Sequence, residues 1–111
     1  MDYEREELKN AETVFRSILK SNPDDAVAHL YLGKIVWDTR GMAGADDALA
    51  ELKRASEVDP ELADPYRDRG FIYYSLGYRE SAIEAFQAYV EMAPSAPDVE
   101  KIRGYLRDIS D

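Results

Sequence analysis

The sequence predicts an all-α protein, a right-handed solenoid of antiparallel helix pairs with about six helices in 111 residues. Three observations predict this fold: an internal repeat, apolar residues at helical spacing, and a proline that closes each repeat. The motif Ala-x3-Phe-x2-Tyr-x4-Pro at 82–94 recurs in degenerate form at 48–60 and 11–23, so the copies lie 34 and 37 residues apart. A fixed period of this length is typical of proteins that stack one helix pair per repeat.

Each predicted helix has apolar residues at intervals of three and four, which places them on one face. In the first copy these residues are Leu8, Ala11, Phe15 and Ile18. The pattern predicts helices near 3–21, 26–40, 45–58, 63–76, 79–92 and 97–109. The prolines at 23, 60 and 94 cannot continue the preceding helix, so each ends one repeat.

Small residues recur at fixed positions within the predicted helix pairs. Gly33 and Gly70 lie in first helices, and Ala48 and Ala82 lie in the second helices that follow them. A small side chain lets two helix backbones approach closely. We therefore expect the two helices of each pair to cross at these residues.

Composition excludes several classes of function. The chain carries 14 Lys and Arg against 23 Asp and Glu, a formal charge of −9, which disfavours nucleic acid and anionic membrane surfaces as partners. It has no cysteine, and the single histidine excludes a multi-histidine metal site. The longest uncharged stretch, 70–78, is far shorter than the roughly 20 residues of a membrane span, and no signal peptide is recognisable. We expect a soluble protein, cytoplasmic by default.

These motifs resemble the tetratricopeptide repeat, whose W-x2-L-G-x2-Y…A-x3-F…P signature is matched best over 63–96. Six of the seven signature positions hold an acceptable residue there, with Tyr66 in place of tryptophan. Arg69 departs from the leucine of the signature. We expect its aliphatic stem to lie along the neighbouring helix, with the guanidinium in water.

The resemblance covers nearly the whole chain and divides the single domain, 1–111, into four segments. These are a partial first repeat (1–25), a second repeat with a three-residue insertion (26–62), a third repeat (63–96) and a capping helix (97–111). His29 occupies the tryptophan position of the second repeat, so we expect it in the core and not as a base or metal ligand. Glu100 and Arg107 fill the positions that receive a following helix in earlier repeats, which favours a cap.

In tetratricopeptide repeats the first helices of successive repeats line a concave groove, and the resemblance implies which positions would face a ligand. They lie three before, one after and four after each signature glycine. They are Leu30, Lys34, Trp37, Arg67, Phe71, Tyr74, Lys101, Tyr105 and Asp108. Cations and aromatics of this kind suit a protein or peptide partner that is acidic with apolar anchors. For Trp37, Phe71 and Tyr74 a core position is an equal alternative, whereas Phe15, Tyr66, Tyr73 and Phe86 are expected in the core.

One subclass of the family grips a C-terminal carboxylate with lysine, asparagine and arginine side chains. Here Lys34 and Asp68 occupy asparagine positions of that clamp, and Asp64 and Asp98 stand where it has a lysine. A chaperone-tail receptor of that type is therefore not expected. The aspartate pairs at 24–25 and 46–47 lie at predicted helix starts, where carboxylates cap free amides, so no metal and no cofactor are predicted.

The predicted function is a non-catalytic adaptor or scaffold that binds a protein or peptide in the groove. Two alternatives stay open. The stretch 67–109 resembles the closing repeat of several bacterial proteins, some with a peptidase-like or transglutaminase-like domain upstream, so the chain would be the C-terminal tail of a larger enzyme. Alternatively, the N-terminal helix around Leu8, Val14 and Phe15 would pair with a second copy as a homodimer.

Overall fold

The computed structural model describes residues 2–110, with side chains from Glu4 onward, and this part of the chain is all-α as predicted. Its helices are α1 (Asp2–Ser21), α2 (Ala26–Arg40), α3 (Ala45–Val58), α4 (Asp64–Leu76), α5 (Arg79–Met92) and α6 (Val99–Ser110). A short 3₁₀ helix, Gly41–Gly44, joins α2 to α3 at the predicted insertion. The observed bounds agree with the predicted ones to within two residues.

Local chemistry explains where the helices begin and end. The Asp25 carboxylate accepts a hydrogen bond from the Ala28 amide at 2.9 Å and caps the start of α2. At the end of α4, Gly77 adopts a left-handed conformation with a φ of 81°. The Tyr78 amide then bonds back to the Tyr73 carbonyl at 2.9 Å, which satisfies the last turn of the helix.

The described chain divides into two compact units, one ending at Pro60 and one beginning at Glu61. In the first unit α2 packs against both α1 and α3, and in the second α5 packs against both α4 and α6. Each unit therefore holds one complete helix pair and one further helix. No helix within residues 2–110 is both long enough and apolar enough to cross a membrane.

Both complete helix pairs cross closely at a glycine, as the small-residue pattern predicts. A Cβ atom added at Gly70 would lie 2.5 Å from the Phe86 ring, and one at Gly33 would lie 2.9 Å from the Leu52 side chain. Non-bonded carbon atoms do not come this close, so a side chain at either glycine would force the neighbouring residue or helix to move. In the second unit the nearest neighbour of the glycine is the Phe86 ring and not Ala82.

The cores of both units are apolar and centred on these crossings. In the first unit Leu32, Val36 and Leu52 are fully buried. The second unit has a buried cluster made of Ala82, Phe86, Tyr89, Ile102 and Ile109. Phe86 is thus a core residue as predicted, and Tyr66 and Tyr73 are partly buried against the same cluster. Phe15 is half-buried and stacks on Tyr31 with 5.5 Å between ring centroids.

Replacing Gly70 by alanine tests the crossing of α4 and α5. The added methyl group would overlap the fully buried Phe86 ring, so the helices must separate or the ring must turn. We expect the free energy of unfolding to fall by about 1–3 kcal/mol, the usual cost of overpacking. Chemical denaturation measures this change.

Gly104→Ala is the matched control, because Gly104 holds the same repeat position on α6. A Cβ atom there would meet only Arg107 Nη2, at 3.8 Å. Because alanine has a higher helix propensity than glycine, the free energy of unfolding of this variant should rise by up to about 1 kcal/mol. If Gly70→Ala and Gly104→Ala changed the free energy of unfolding equally, the close crossing at Gly70 would be contradicted.

Candidate partner-binding surface

Arg67, predicted to receive an acidic group of a ligand, lies in an ion-pair network within the second unit. Its Nε donates to Asp68 at 3.2 Å, its Nη1 donates to Asp98 at 3.2 Å, and its Nη2 lies 3.7 Å from the Asp64 carboxylate. The guanidinium also sits over the Tyr89 ring, 5.4 Å from its centroid. The side chain is 18% exposed. The Arg67 guanidinium is therefore already bound by carboxylates of its own unit. The sequence predicts, by contrast, that this cation faces a ligand.

Three helix ends meet in this network. Arg67 lies in the first turns of α4, and Tyr89 lies in the last turn of α5. Asp98 directly precedes α6, and its carbonyl accepts a hydrogen bond from the Ile102 amide at 3.1 Å. The network therefore holds the start of α6 against α4 and α5.

The pKa values of the network residues shift in directions that preserve it at neutral pH. Burial acts to lower the pKa of Arg67, but the negative charges of Asp68 and Asp64 outweigh burial and raise that pKa above its ordinary value. The Tyr89 hydroxyl donates a 2.5 Å hydrogen bond to Asp98, which lowers the pKa of that carboxyl, and Arg67 adds to the effect. Burial, followed by the contact with Asp98, raises the pKa of Tyr89.

Four aromatic rings of the second unit are in mutual contact. Phe71 meets Phe86 and Tyr105 edge to face, with centroids 5.2 and 5.5 Å apart. Tyr105 also stacks on Phe86 at 6.0 Å and contacts Tyr74 at 5.8 Å. Phe86 is buried, Phe71 and Tyr105 are half-buried, and Tyr74 is 47% exposed. We call Phe71, Tyr74 and Tyr105 the α4–α6 aromatic surface.

A shallow depression of about 270 Å³ adjoins this surface. It is lined by Tyr74, Gly77, Arg79, Asp108 and Ile109. Ile109 is buried and supplies an apolar floor, whereas Arg79 and Asp108 are exposed and of opposite charge. Sequence reasoning missed Gly77, Arg79 and Ile109, because they lie outside the groove positions of the repeat.

Lys101 is exposed on α6, one turn before Tyr105. Residues four apart on a helix share a face, so its ammonium group is within reach of a ligand seated on the α4–α6 aromatic surface. Six of the predicted groove residues lie in the second unit: Phe71, Tyr74 and Tyr105 form this surface, Lys101 lies beside it, Asp108 lines the adjoining depression, and Arg67 belongs to the ion-pair network.

The predicted groove residues of the first unit differ in exposure. Leu30 is 3% exposed and lies in the packed interior, which corrects the expectation that it faces a ligand. Lys34 and Trp37 are half-buried on α2. A groove that joins these positions to those of the second unit stays a prediction.

His29 is buried, as the core interpretation predicts, and bridges two segments of the first unit. Its Nδ1 lies 2.8 Å from Glu51 Oε1 on α3, and its Nε2 lies 2.7 Å from the Pro23 carbonyl oxygen. Both ring nitrogens are therefore occupied by structural contacts. Among residues 2–110 no cluster of three histidine, aspartate or glutamate side chains is arranged to hold a metal ion.

The Arg69 guanidinium packs on two aromatic rings, whereas the sequence predicts that it lies in water. The group lies over the rings of Tyr66 and Tyr73, 5.6 and 6.0 Å from their centroids. Its Nε is buried without a hydrogen-bond partner, so cation–π attraction offsets part of the cost of burial. The spacing of these tyrosines, three before and four after Arg69, is a signal that could have predicted the contact.

A family model described as tetratricopeptide repeat matches residues 44–107. A UPF0162 protein of Xylella fastidiosa (strain Temecula1) is 34% identical over 65 residues, which are 59% of this chain and 23% of that protein. The chain thus spans less than a quarter of the length of this curated relative.

Solved structures share the fold at low sequence identity. The Yersinia enterocolitica type III secretion translocator chaperone SycD has a TM-score of 0.83 at 16% identity, over 97% of this chain and 75% of that one. The first tetratricopeptide domain of Spaghetti (RPAP3), bound to the HSP90 peptide SRMEEVD, has a TM-score of 0.81 at 16% identity, over 97% and 81%. These likenesses establish the fold as a helical array of this type.

Reversing the charge of Arg67 tests the network. In Arg67→Glu a fourth carboxylate would replace the guanidinium that Asp64, Asp68 and Asp98 share. We expect the free energy of unfolding to fall by about 2–4 kcal/mol, because the Arg67 and Asp68 side chains are only 18% and 13% exposed, although Asp64 and Asp98 are more open to solvent. Urea denaturation measures the loss.

Arg103→Glu is the control, since Arg103 makes an exposed ion pair with Glu100 at 2.6 Å on α6. Exposed pairs contribute little, so the change there should stay below about 1 kcal/mol. If Arg67→Glu were as mild as this control, the network would not stabilise the second unit.

Proposed function

Because the chain belongs to the tetratricopeptide repeat family, we propose that it is a non-catalytic module that binds a protein or peptide partner. The observation that carries the proposal is the α4–α6 aromatic surface. Its rings are held in place by one another and by the buried Phe86, yet Tyr74 is open to solvent. Rigid, half-exposed aromatic side chains bind a partner at low entropic cost and are enriched at binding hot spots.

The ligand chemistry that fits this surface is a peptide with apolar anchors and an acidic group. Apolar side chains would pack on Tyr74 and on the floor formed by Ile109. The acidic group would meet Lys101, which is exposed on the same helix as Tyr105. Arg67 is a poorer site for it, because three carboxylates already surround that guanidinium.

The proposed module is not a receptor for the C-terminal tails of chaperones. The structure of Spaghetti holds the HSP90 peptide SRMEEVD. In this chain Asp64 and Asp98 stand at clamp positions and contact Arg67, so a terminal carboxylate would meet like charge there. We expect SRMEEVD to bind at least tenfold more weakly than a peptide selected for this chain.

α6 is proposed to cap the helical array. Its Glu100 and Arg107 side chains are exposed, at positions where earlier repeats receive the next helix. A Cβ atom at Gly104 would meet no neighbour closer than Arg107 at 3.8 Å, unlike the crossing glycines of the two helix pairs. A polar outer face of this kind suits the end of a repeat stack.

Selection of random twelve-residue peptides against the full chain supplies probes for the binding surface. Peptides that use the α4–α6 aromatic surface should bind Tyr74→Ala and Lys101→Glu at least tenfold more weakly than wild type, because one variant removes an anchor and the other the cation. Isothermal titration calorimetry measures the dissociation constants.

Tyr78→Ala is the matched control, because Tyr78 in the turn after α4 is also an exposed tyrosine, 57% against 47% for Tyr74, and its ring contacts Tyr73. Binding to this variant should stay within about twofold of wild type. Selected peptides that bind all four proteins equally would place the partner site elsewhere.

A second candidate is that the chain forms the repeat portion of a larger bacterial enzyme of peptidase-like or transglutaminase-like type. The similarity to the UPF0162 protein supports only the first part of this candidate, that such repeats occur within a longer protein, because the match covers 23% of that relative. The full-length gene product decides between the two candidates: a catalytic domain joined to these repeats would support the enzyme tail, and its absence would favour a free-standing adaptor.

A further inference from the structure

Arg69 is a half-buried cation to which the described chain supplies no negative charge. The other half-buried arginines, Arg67 and Arg103, both form ion pairs with carboxylates. Within residues 4–110, Arg69 makes neither an ion pair nor a hydrogen bond, and its Nε–H is buried without an acceptor. Charges that are withdrawn from water are normally paired, and the two tyrosine rings beside this guanidinium carry no net charge. The guanidinium can therefore still gain a counter-charge from a bound group.

A cavity of about 180 Å³ between α4 and α5 lies beside this guanidinium. Both helices line it, with Tyr66, Arg69 and Tyr73 from α4, and Ser81, Glu84 and two alanines from α5. The alanines leave space that longer side chains would fill. A water molecule takes about 30 Å³ in the liquid, so the space is large enough for a carboxylate group. We call it the Arg69 cavity.

The first unit has a carboxylate at the corresponding place. Second helices of the two complete pairs are offset by 34 residues and first helices by 37, so Ala85 corresponds to Glu51 and Tyr66 corresponds to His29. The Glu51 side chain is 25% exposed, and its carboxylate lies 2.8 Å from His29 Nδ1. A glutamate at this position of the second helix therefore reaches the first helix of its own pair. In the second unit the shorter Ala85 side chain lines the Arg69 cavity instead.

We propose that the Arg69 cavity binds a glutamate side chain of a partner protein, seated where the Glu51 carboxylate lies in the first unit. A planar guanidinium presents N–H groups in a fork that matches the two oxygens of a carboxylate. Ser81 adds a hydroxyl donor to the lining. A glutamate side chain suits the cavity better than a small free acid, because its aliphatic stem can pack on Ala85 and Ala88.

Glu84 limits the charge that the cavity accepts. Its side chain is exposed and lines the cavity, yet it makes no ion pair with Arg69 among the residues that the structure describes. A like charge nearby repels a doubly charged ligand more strongly than a singly charged one. The cavity should therefore prefer a carboxylate to inorganic phosphate, and Glu84→Gln should strengthen binding of a carboxylate by about threefold.

The Arg69 cavity shares no residue with the α4–α6 aromatic surface. Arg69 and Phe71 are two residues apart on a helix with about 3.6 residues per turn, so they point to nearly opposite sides of α4. The cavity is therefore a second binding site, and the failure of either site leaves the other standing.

The probe is the capped peptide Gly-Gly-Glu-Gly-Gly, titrated into the isotopically labelled full chain and followed by NMR at low salt. The Arg69 Nε–H signal should shift saturably, because this buried group lies in the guanidinium that binds the carboxylate. The same peptide with glutamine should bind at least tenfold more weakly, since the amide carries no charge. Sodium acetate and inorganic phosphate should each bind more weakly than the glutamate peptide.

Arg69→Met removes the cation and keeps an apolar stem between the tyrosines, so saturable binding of the glutamate peptide should be lost. Arg107→Met is the matched control, because Arg107 is an exposed arginine of the same unit outside the cavity. Binding to this control should stay within about twofold of wild type.

Ala85→Glu tests the site without any ligand, because it places a glutamate where the first unit has Glu51. Its carboxylate should fill the Arg69 cavity, pair with Arg69 and exclude the peptide. The equilibrium constant for unfolding should be about fivefold smaller for Ala85→Glu than for Ala85→Gln, which adds a side chain of the same size without the charge. This difference should vanish when both changes are made together with Arg69→Met.

The proposal is overturned if the glutamate and glutamine peptides bind equally, or if Arg69→Met binds the glutamate peptide as wild type does. It is also overturned if acetate or phosphate binds as tightly as the glutamate peptide, because the cavity would then take a free anion. Equal unfolding constants for Ala85→Glu and Ala85→Gln, with Arg69 present, would contradict the correspondence with Glu51 and overturn the proposal as well.

Discussion

A glycine that lets two helices touch is the constraint on which each helix pair depends. At Gly70 the Phe86 ring fills the space of a side chain, and at Gly33 the Leu52 side chain does the same. The helices of these pairs are only 13 to 15 residues long, a length that is marginal for an isolated helix in water. Close contact of their apolar faces supplies the stability that helix propensity alone does not, and the buried cores of both units are centred there.

The same crossing orients the side chains that matter for binding. Because Gly70 must face Phe86, the rotation of α4 about its axis is fixed. Phe71 then falls between α5 and α6, and Tyr74, one turn later, reaches the surface. Arg67, one turn before the glycine, meets the residues that hold the start of α6. One steric contact therefore determines both the ion-pair network and the α4–α6 aromatic surface.

The helices and their crossings were predictable because local or periodic sequence patterns indicate them. The burial and pairing of an individual side chain depend instead on residues that are distant in the sequence. Arg67 and Asp98 are 31 residues apart, and no spacing rule pairs them; a count of cations on a face does not reveal which are already neutralised. Leu30 occupies the same repeat position as Arg67 and Lys101, yet it is buried, because this position lies at the edge between core and surface and an apolar side chain turns inward. By contrast, the tyrosines around Arg69 stand at helical spacing and could have been recognised.

NMR of the full chain tests the central claim most directly through the α protons of Gly70. One of them points at the Phe86 ring where a side chain would begin. The close crossing predicts a strong nuclear Overhauser effect between this proton and the ring protons of Phe86, with a ring-current shift that separates the two Gly70 α protons. Equivalent α-proton shifts and no Overhauser effect to an assigned Phe86 ring would contradict the crossing, and with it the placement of the surfaces that depend on it.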